Sequence, residues 1–143
     1  MSRSGYVDYL DMGTFNLYRA NVDRSIKGKN GQAFLKELLT ALEAMPDKKL
    51  IRGDLVRVTE GDTQVCAIGA VCTARGLDTS NIDVYNPKQV ADAVGIARCL
   101  AAEIEFLNDD GNFWSDETDE VRWTRMYTWV KSNISQGAKN EAT

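Results

Sequence analysis

The 143-residue chain contains no histidine. That absence removes the Ser–His and Cys–His pairs, the commonest general base and the commonest zinc ligand, so a non-enzymatic protein without cofactor or metal is the expectation. Prolines number only two and no stretch is of low complexity, so nothing marks a linker. No run approaches the ~18 apolar residues of a membrane span. The opening "MSRSGYVDYLDMG" lacks the apolar segment of an export signal. A cytoplasmic protein that makes no use of membranes is expected. Three cysteines, an odd number without such a signal, read as reduced thiols. Bases are missing altogether from 103–120, where eight acids stand.

What is present is ordinary for a globular domain: 43% hydrophobic and 27% charged residues predict one packed unit over 1–134, with 135–143 a frayed tail. The net charge of -4 is unevenly spread, with +3 over 1–57 and -7 over 58–143. Such asymmetry bears on partners rather than on fold.

Apolar spacing supplies the elements. Thr14 is expected to cap a helix carrying Phe15, Tyr18, Val22 and Ile26. Asn30 is expected to cap a second helix with Phe34, Leu35, Leu38, Leu39, Leu42 and Met45 on one face, ended by Pro46. Residues 55–59 and 63–65 read as two short strands about a turn at Glu60-Gly61-Asp62. "VCAIGAVCTARG" is apolar or small on nearly every side, the pattern of a buried helix. Pro87 opens a helix over 87–94, and Gly95 breaks it. A helix over 97–107 follows, with Ile96, Leu100, Ile104 and Leu107 on one stripe. Thr118 caps a last helix turning Trp123, Met126, Tyr127, Val130 and Ile134 inward. The expected fold class is mostly α (α+β): about five helices around a buried Cys/Ala/Gly-rich helix, with a small two-stranded β-ribbon.

Several segments resemble functional motifs. Residues 87–106 have helix-turn-helix spacing, which makes a DNA-binding regulator one alternative. The second helix, however, offers Glu103 and Glu105 and runs into Asp109-Asp110, charges that repel phosphate and argue against direct contact with nucleic acid. Cys66 and Cys72 on one helix lie about 120° apart and ~9 Å along the axis, too far for one ion or a disulfide. They read as small buried residues. "NDDGNFWSDETDE" follows a calcium loop at Asn108, Asp110 and Asn112, but places Phe113 where glycine is required and Asp119 where glutamate is. Lys27, Lys29 and Gly31 surround a helix N-terminus. They suggest a second alternative, a small-ligand binder that sequesters a nucleotide signal.

The strongest lead is the acidic arc. Glu103, Glu105, Asp109, Asp110, Asp116 and Glu117 form a carboxylate rim, and Trp114 within it has the character of an interface anchor. Reversing Glu103, Asp109 and Asp110 to lysine is expected to abolish docking and leave the domain folded.

Four segments carry a resemblance: "IKGKNGQAFLKELLTALEAMPDKKLI", "VCAIGAVCTARGLD", "GIARCLAAEIEFLNDDG" and "ETDEVRWTRMYTWV". Together they resemble a family of uncharacterised tailed-phage and prophage proteins over roughly residues 5–134. Ile68 stands where the family's cysteine helix has leucine. The resemblance implies phage origin and transfers no functional residue. By analogy with small phage proteins it suggests a stoichiometric modulator or inhibitor of a host factor, anti-CRISPR-like in kind. The expected partner is a host protein with a basic surface, met in the host cytoplasm by a monomer or homodimer.

Overall fold

The computed structural model describes Arg3, residues 12–111 and residues 116–141, with side chains for Arg3, 17–111 and 116–134. Within these residues the order is α1 (Met12–Lys27), α2 (Lys29–Ala44), β1 (Val56–Thr59), β2 (Asp62–Val65), α3 (Ala67–Arg75), α4 (Pro87–Val94), α5 (Arg98–Asp110) and α6 (Asp119–Glu141). The fold is mostly α with one antiparallel ribbon, as expected.

A single residue, Gly28, separates α1 from α2. Gly28 occupies the N-cap without a side-chain bond, and Asn30, the expected cap, sits exposed inside the helix. Thr14 likewise lies within α1, which begins at Met12. The tight junction depends on Gly31: a Cβ there would stand 1.8 Å from the Ser25 carbonyl oxygen. Next to it, the Gln32 side chain donates to the carbonyls of Ile26 (2.7 Å) and Asn133 (3.0 Å). It thereby ties α2 to α1 and α6. Leu35, Leu38 and Leu42 are fully buried, each worth roughly 1.5–3 kcal/mol of removal from water.

The ribbon pairs Val56 with Val65 and Thr59 with Asp62. Its turn is two residues, not the three expected, and Asp62 belongs to β2. Glu60 and Gly61 both have positive φ (48° and 83°), the type I′ geometry that matches strand twist. Beyond the ribbon, Cys66 caps α3, its Sγ accepting from the Gly69 amide at 3.3 Å. Ala67 through Cys72 are all buried, in keeping with a helix apolar on every side. Gly69 lies against the chain entering β1: an added Cβ would be 1.9 Å from the Leu55 oxygen.

Asn86 caps α4 by accepting from Lys88 and Gln89, and Gly95 ends the helix at φ 78°. The following helix, α5, packs on α1, α3, α4 and α6, which makes it as central as α3. Thr118 accepts from the Val121 amide at 3.1 Å to open α6, whose Met126 and Val130 are fully buried. The helix continues past the expected boundary at 134 to Glu141. Among the described residues no helix is long and apolar enough to cross a membrane.

Candidate functional site

The acidic arc is built on α5, and its geometry corrects the expectation of a solvated rim. Leu100 and Ile104 face the core as their spacing requires, but Glu103, Glu105 and Asn108 are buried too. Four neighbours around one helix leave little of it in water. From Cys99 to Asp110 no residue of α5 is exposed, so the helix has no free face to lay in a DNA groove.

Arginines from the rest of the chain take up these carboxylates. Arg19 of α1 reaches Glu103 at 2.6 Å. Arg3 meets Asp109 through Nε (2.6 Å) and Nη2 (2.9 Å), and lies 3.3 Å from Glu105. Asp109 also accepts from the Gly53 amide at 3.1 Å. Burial alone would raise its pKa, but Arg3, Asn108 and Gly53 together hold it below the ordinary carboxylate range. Glu105 has the opposite outcome: burial, helped by the Asp109 charge and opposed by Arg3, pushes it up to about 7. Asp110 is three-quarters covered and stands 3.5 Å from Arg52.

Glu117 is similarly enclosed. Arg125 grips both of its oxygens at 2.7 and 2.8 Å, and Arg122 Nε lies 3.3 Å away. The same Arg125 guanidinium donates to the Leu107 and Asn108 carbonyls, closing the C-terminal end of α5. Of the expected docking residues among those described, Asp116 is the one left exposed. Trp114, like Phe113, lies outside the described residues. Phe106, Trp123, Tyr127 and Trp129 are half-buried, with Trp123 and Tyr127 stacked at 4.8 Å.

The structure divides the residues of the expected ligand site. Lys27 and Lys29 are exposed on either side of Gly28, but Gly31 is buried under the carbonyls of Ser25 and Ile26. The negative end of α1 thus sits at the positive start of α2, where an incoming phosphate would have to displace it. Asn108 cannot open a calcium loop, because its side chain bonds to the Ala67 amide and the Ile51 carbonyl. Cys66, Cys72 and Cys99 are free, and burial drives Cys72 up to about 11, which keeps it a neutral thiol. Among the described residues no three potential ligands gather about one metal position.

Spacing did not reveal a cleft of about 170 Å³ between β2, the end of α2 and the start of α6. Buried Ile51 and Val65, with half-buried Met45, form its base; Asp47, Lys49 and Asp62 stand exposed on its rim. Lys49 is drawn toward Glu120 (3.6 Å), and Asp119, also lining the cleft, is held by Arg122 at 2.9 Å. Asp47 and Asp62 have no ion-pair partner among the described residues. Its one signal in the sequence is the start of the second strand, which spacing puts at Thr63, one position late, leaving Asp62 in the turn.

Comparison of the chain with models of known families, with curated proteins and with solved structures gives no match in any of the three.

Proposed function

We propose that this chain is a non-enzymatic binding protein that modulates or inhibits a host factor by docking on a basic protein surface. The phage origin implied by the sequence resemblance and the anti-defence role belong to this reading. The observation that carries it is the open cleft beside β2, where the rim carboxylates of Asp47 and Asp62 have no ion-pair partner among the described residues, whereas Asp119 is held by Arg122. At about 170 Å³ it falls well below the roughly 300–1,000 Å³ of small-molecule pockets, which favours recognition of part of a macromolecule. On this reading the docking face keeps Asp116 from the expected set and adds Asp47 and Asp62 on the cleft and Glu120 at the start of α6, all exposed. Negative charge there steers a cationic partner and turns nucleic acid away.

Affinity capture from the host with the full chain as bait tests the role. A host protein retained in stoichiometric amount, released by moderate salt and bound equally after nuclease treatment, is the expected result. Capture of nucleic acid alone, or of nothing, would overturn it.

A further inference from the structure

We infer that the cleft beside β2 seats an extended, basic peptide segment of the partner protein. One lysine or arginine side chain fills the cleft while the segment's main chain bonds to Thr63. This occupant presupposes the docking role above and gives it a chemistry.

The main-chain argument comes from the ribbon register. With a two-residue turn, Thr59–Asp62 and Arg57–Gln64 are the pairs that exchange hydrogen bonds, and the Cys66 amide bond to Leu55 continues that alternation. Thr63 and Val65 therefore turn their amide and carbonyl groups away from β1. The Val65 carbonyl is taken by the Ile51 amide at 2.9 Å, and the chain then diverts, Leu50 donating to Asp119. Among the described residues the position beside β2 is thus occupied at its Val65 end and open beside Thr63, where the cleft lies. Adding a strand to such an edge is a common mode of peptide recognition.

Side-chain chemistry selects the occupant. The base of Met45, Ile51 and Val65 suits a methylene stem, while Asp47 and Asp62 at the rim suit a cation. A volume of about 170 Å³ has room for one long side chain rather than a ligand. A second copy of β2 is a poor occupant: Asp-Thr-Gln-Val carries an acid and no base, so pairing two copies would gather like charges.

Short random peptide pools, fixed at the centre as lysine, arginine, norleucine or glutamate, are passed over the immobilised full chain. The basic pools should be retained about tenfold better than the norleucine and glutamate pools, the worth of one charge-assisted contact. Asp47→Asn with Asp62→Asn should erase that preference. Thr63→Pro removes the outward donor and leaves the bonds to β1 in place, so it should weaken retention of every pool. Where Thr63→Pro fails to fold, peptide pools N-methylated beside the basic residue make the same measurement. Equal retention of norleucine and lysine pools overturns the inference, as does retention indifferent to the double asparagine variant. Self-association abolished by Thr63→Pro would assign the edge to a second copy instead and overturn it too. A captured host protein indifferent to Asp47 and Asp62 removes the occupant but keeps the docking role; no captured protein removes the role itself.

Discussion

Arg3 and Glu105 meet at 3.3 Å with both side chains shut off from solvent. Asp109 shares the same guanidinium, so one buried cation serves two carboxylates. Asp109 takes the hydrogen bonds, and among the described residues neither Glu105 oxygen accepts one. The pair divides accordingly: Asp109 stays ionised and Glu105 is pushed up to about 7 by burial and by its neighbour's charge. A raised folded pKa means that the native state binds the proton more tightly than the unfolded chain. The stability Glu105 contributes is complete below its ordinary 4.5 and is lost as pH rises through about 7. Asp109 acts in the reverse sense, losing its contribution only as pH falls through its depressed value. Urea midpoints should therefore decline between pH 5 and pH 8, with Glu105 accounting for at most about 3 kcal/mol. Glu105→Gln should flatten that decline and raise the midpoint at pH 8. An unchanged slope in the variant would show that Glu105 titrates normally.

Removing the cation should be worse than removing either acid. Arg3→Ala leaves Asp109 charged and buried beside Glu105, a situation that costs roughly 3–5 kcal/mol. Combining it with Asp109→Asn and Glu105→Gln should return much of that loss, because no buried charge remains. Denaturation midpoints of the single and triple variants measure the coupling. Equal stabilities would mean that Arg3 is not seated in the fold.

Local features of this fold were legible from spacing, and its long-range electrostatics were not. The α3 helix, the stop at Gly95 and the turn at Glu60-Gly61 follow from small residues and glycines acting over a few positions. Glu103 and Glu105 flank the apolar stripe of α5, where a lone amphipathic helix would leave them in water. Four packed helices bury them, and their charges are met by Arg19, 84 positions away, and by Arg3, which lies still farther along the chain. No period within α5 encodes those partners. The cleft escaped for a related reason: it is assembled from the end of α2, from β2 and from the start of α6.

Two glycines should tolerate no side chain, although both lie in helices where alanine is the better former. Gly31 and Gly69 each face a backbone carbonyl that a Cβ would meet at 1.8 and 1.9 Å. Helix propensity gains about 1 kcal/mol from each Gly→Ala change, while the overlap requires a helix or strand to shift, at about 1–3 kcal/mol or more. Net destabilisation is expected for Gly31→Ala and Gly69→Ala alike. Thermal melts showing either variant more stable than the parent would mean that the two backbones approach less closely at that glycine.

The ribbon turn offers a change in the other direction. Glu60 holds φ 48°, a region where a side chain like glutamate is strained and asparagine is at home. Glu60→Asn keeps the type I′ turn with Gly61 behind it and should stabilise the chain by about 0.5–1 kcal/mol. The side chain is exposed, so no packing is lost. A lower urea midpoint would contradict the turn assignment.

Charge reversal separates the acids that hold the fold from those free to meet a partner. Glu103 is buried against the half-exposed Arg19, so Glu103→Lys sets a buried cation beside another cation where an acid stood and should cost about 2–4 kcal/mol. Reversal at Asp109 has the same character beside Arg3. Against the sequence-based expectation that lysines at Glu103, Asp109 and Asp110 spare the fold, the ion pairs lead to the opposite expectation: the triple variant should be unfolded at ordinary temperature. Asp116→Lys, at an exposed position, should change stability by less than about 0.5 kcal/mol. Circular dichroism on both variants decides the matter, and a folded Glu103→Lys chain would return α5 to the list of docking surfaces. Loss of partner binding is informative only in variants that melt like the parent, which confines mutational mapping to Asp47, Asp62, Asp116 and Glu120.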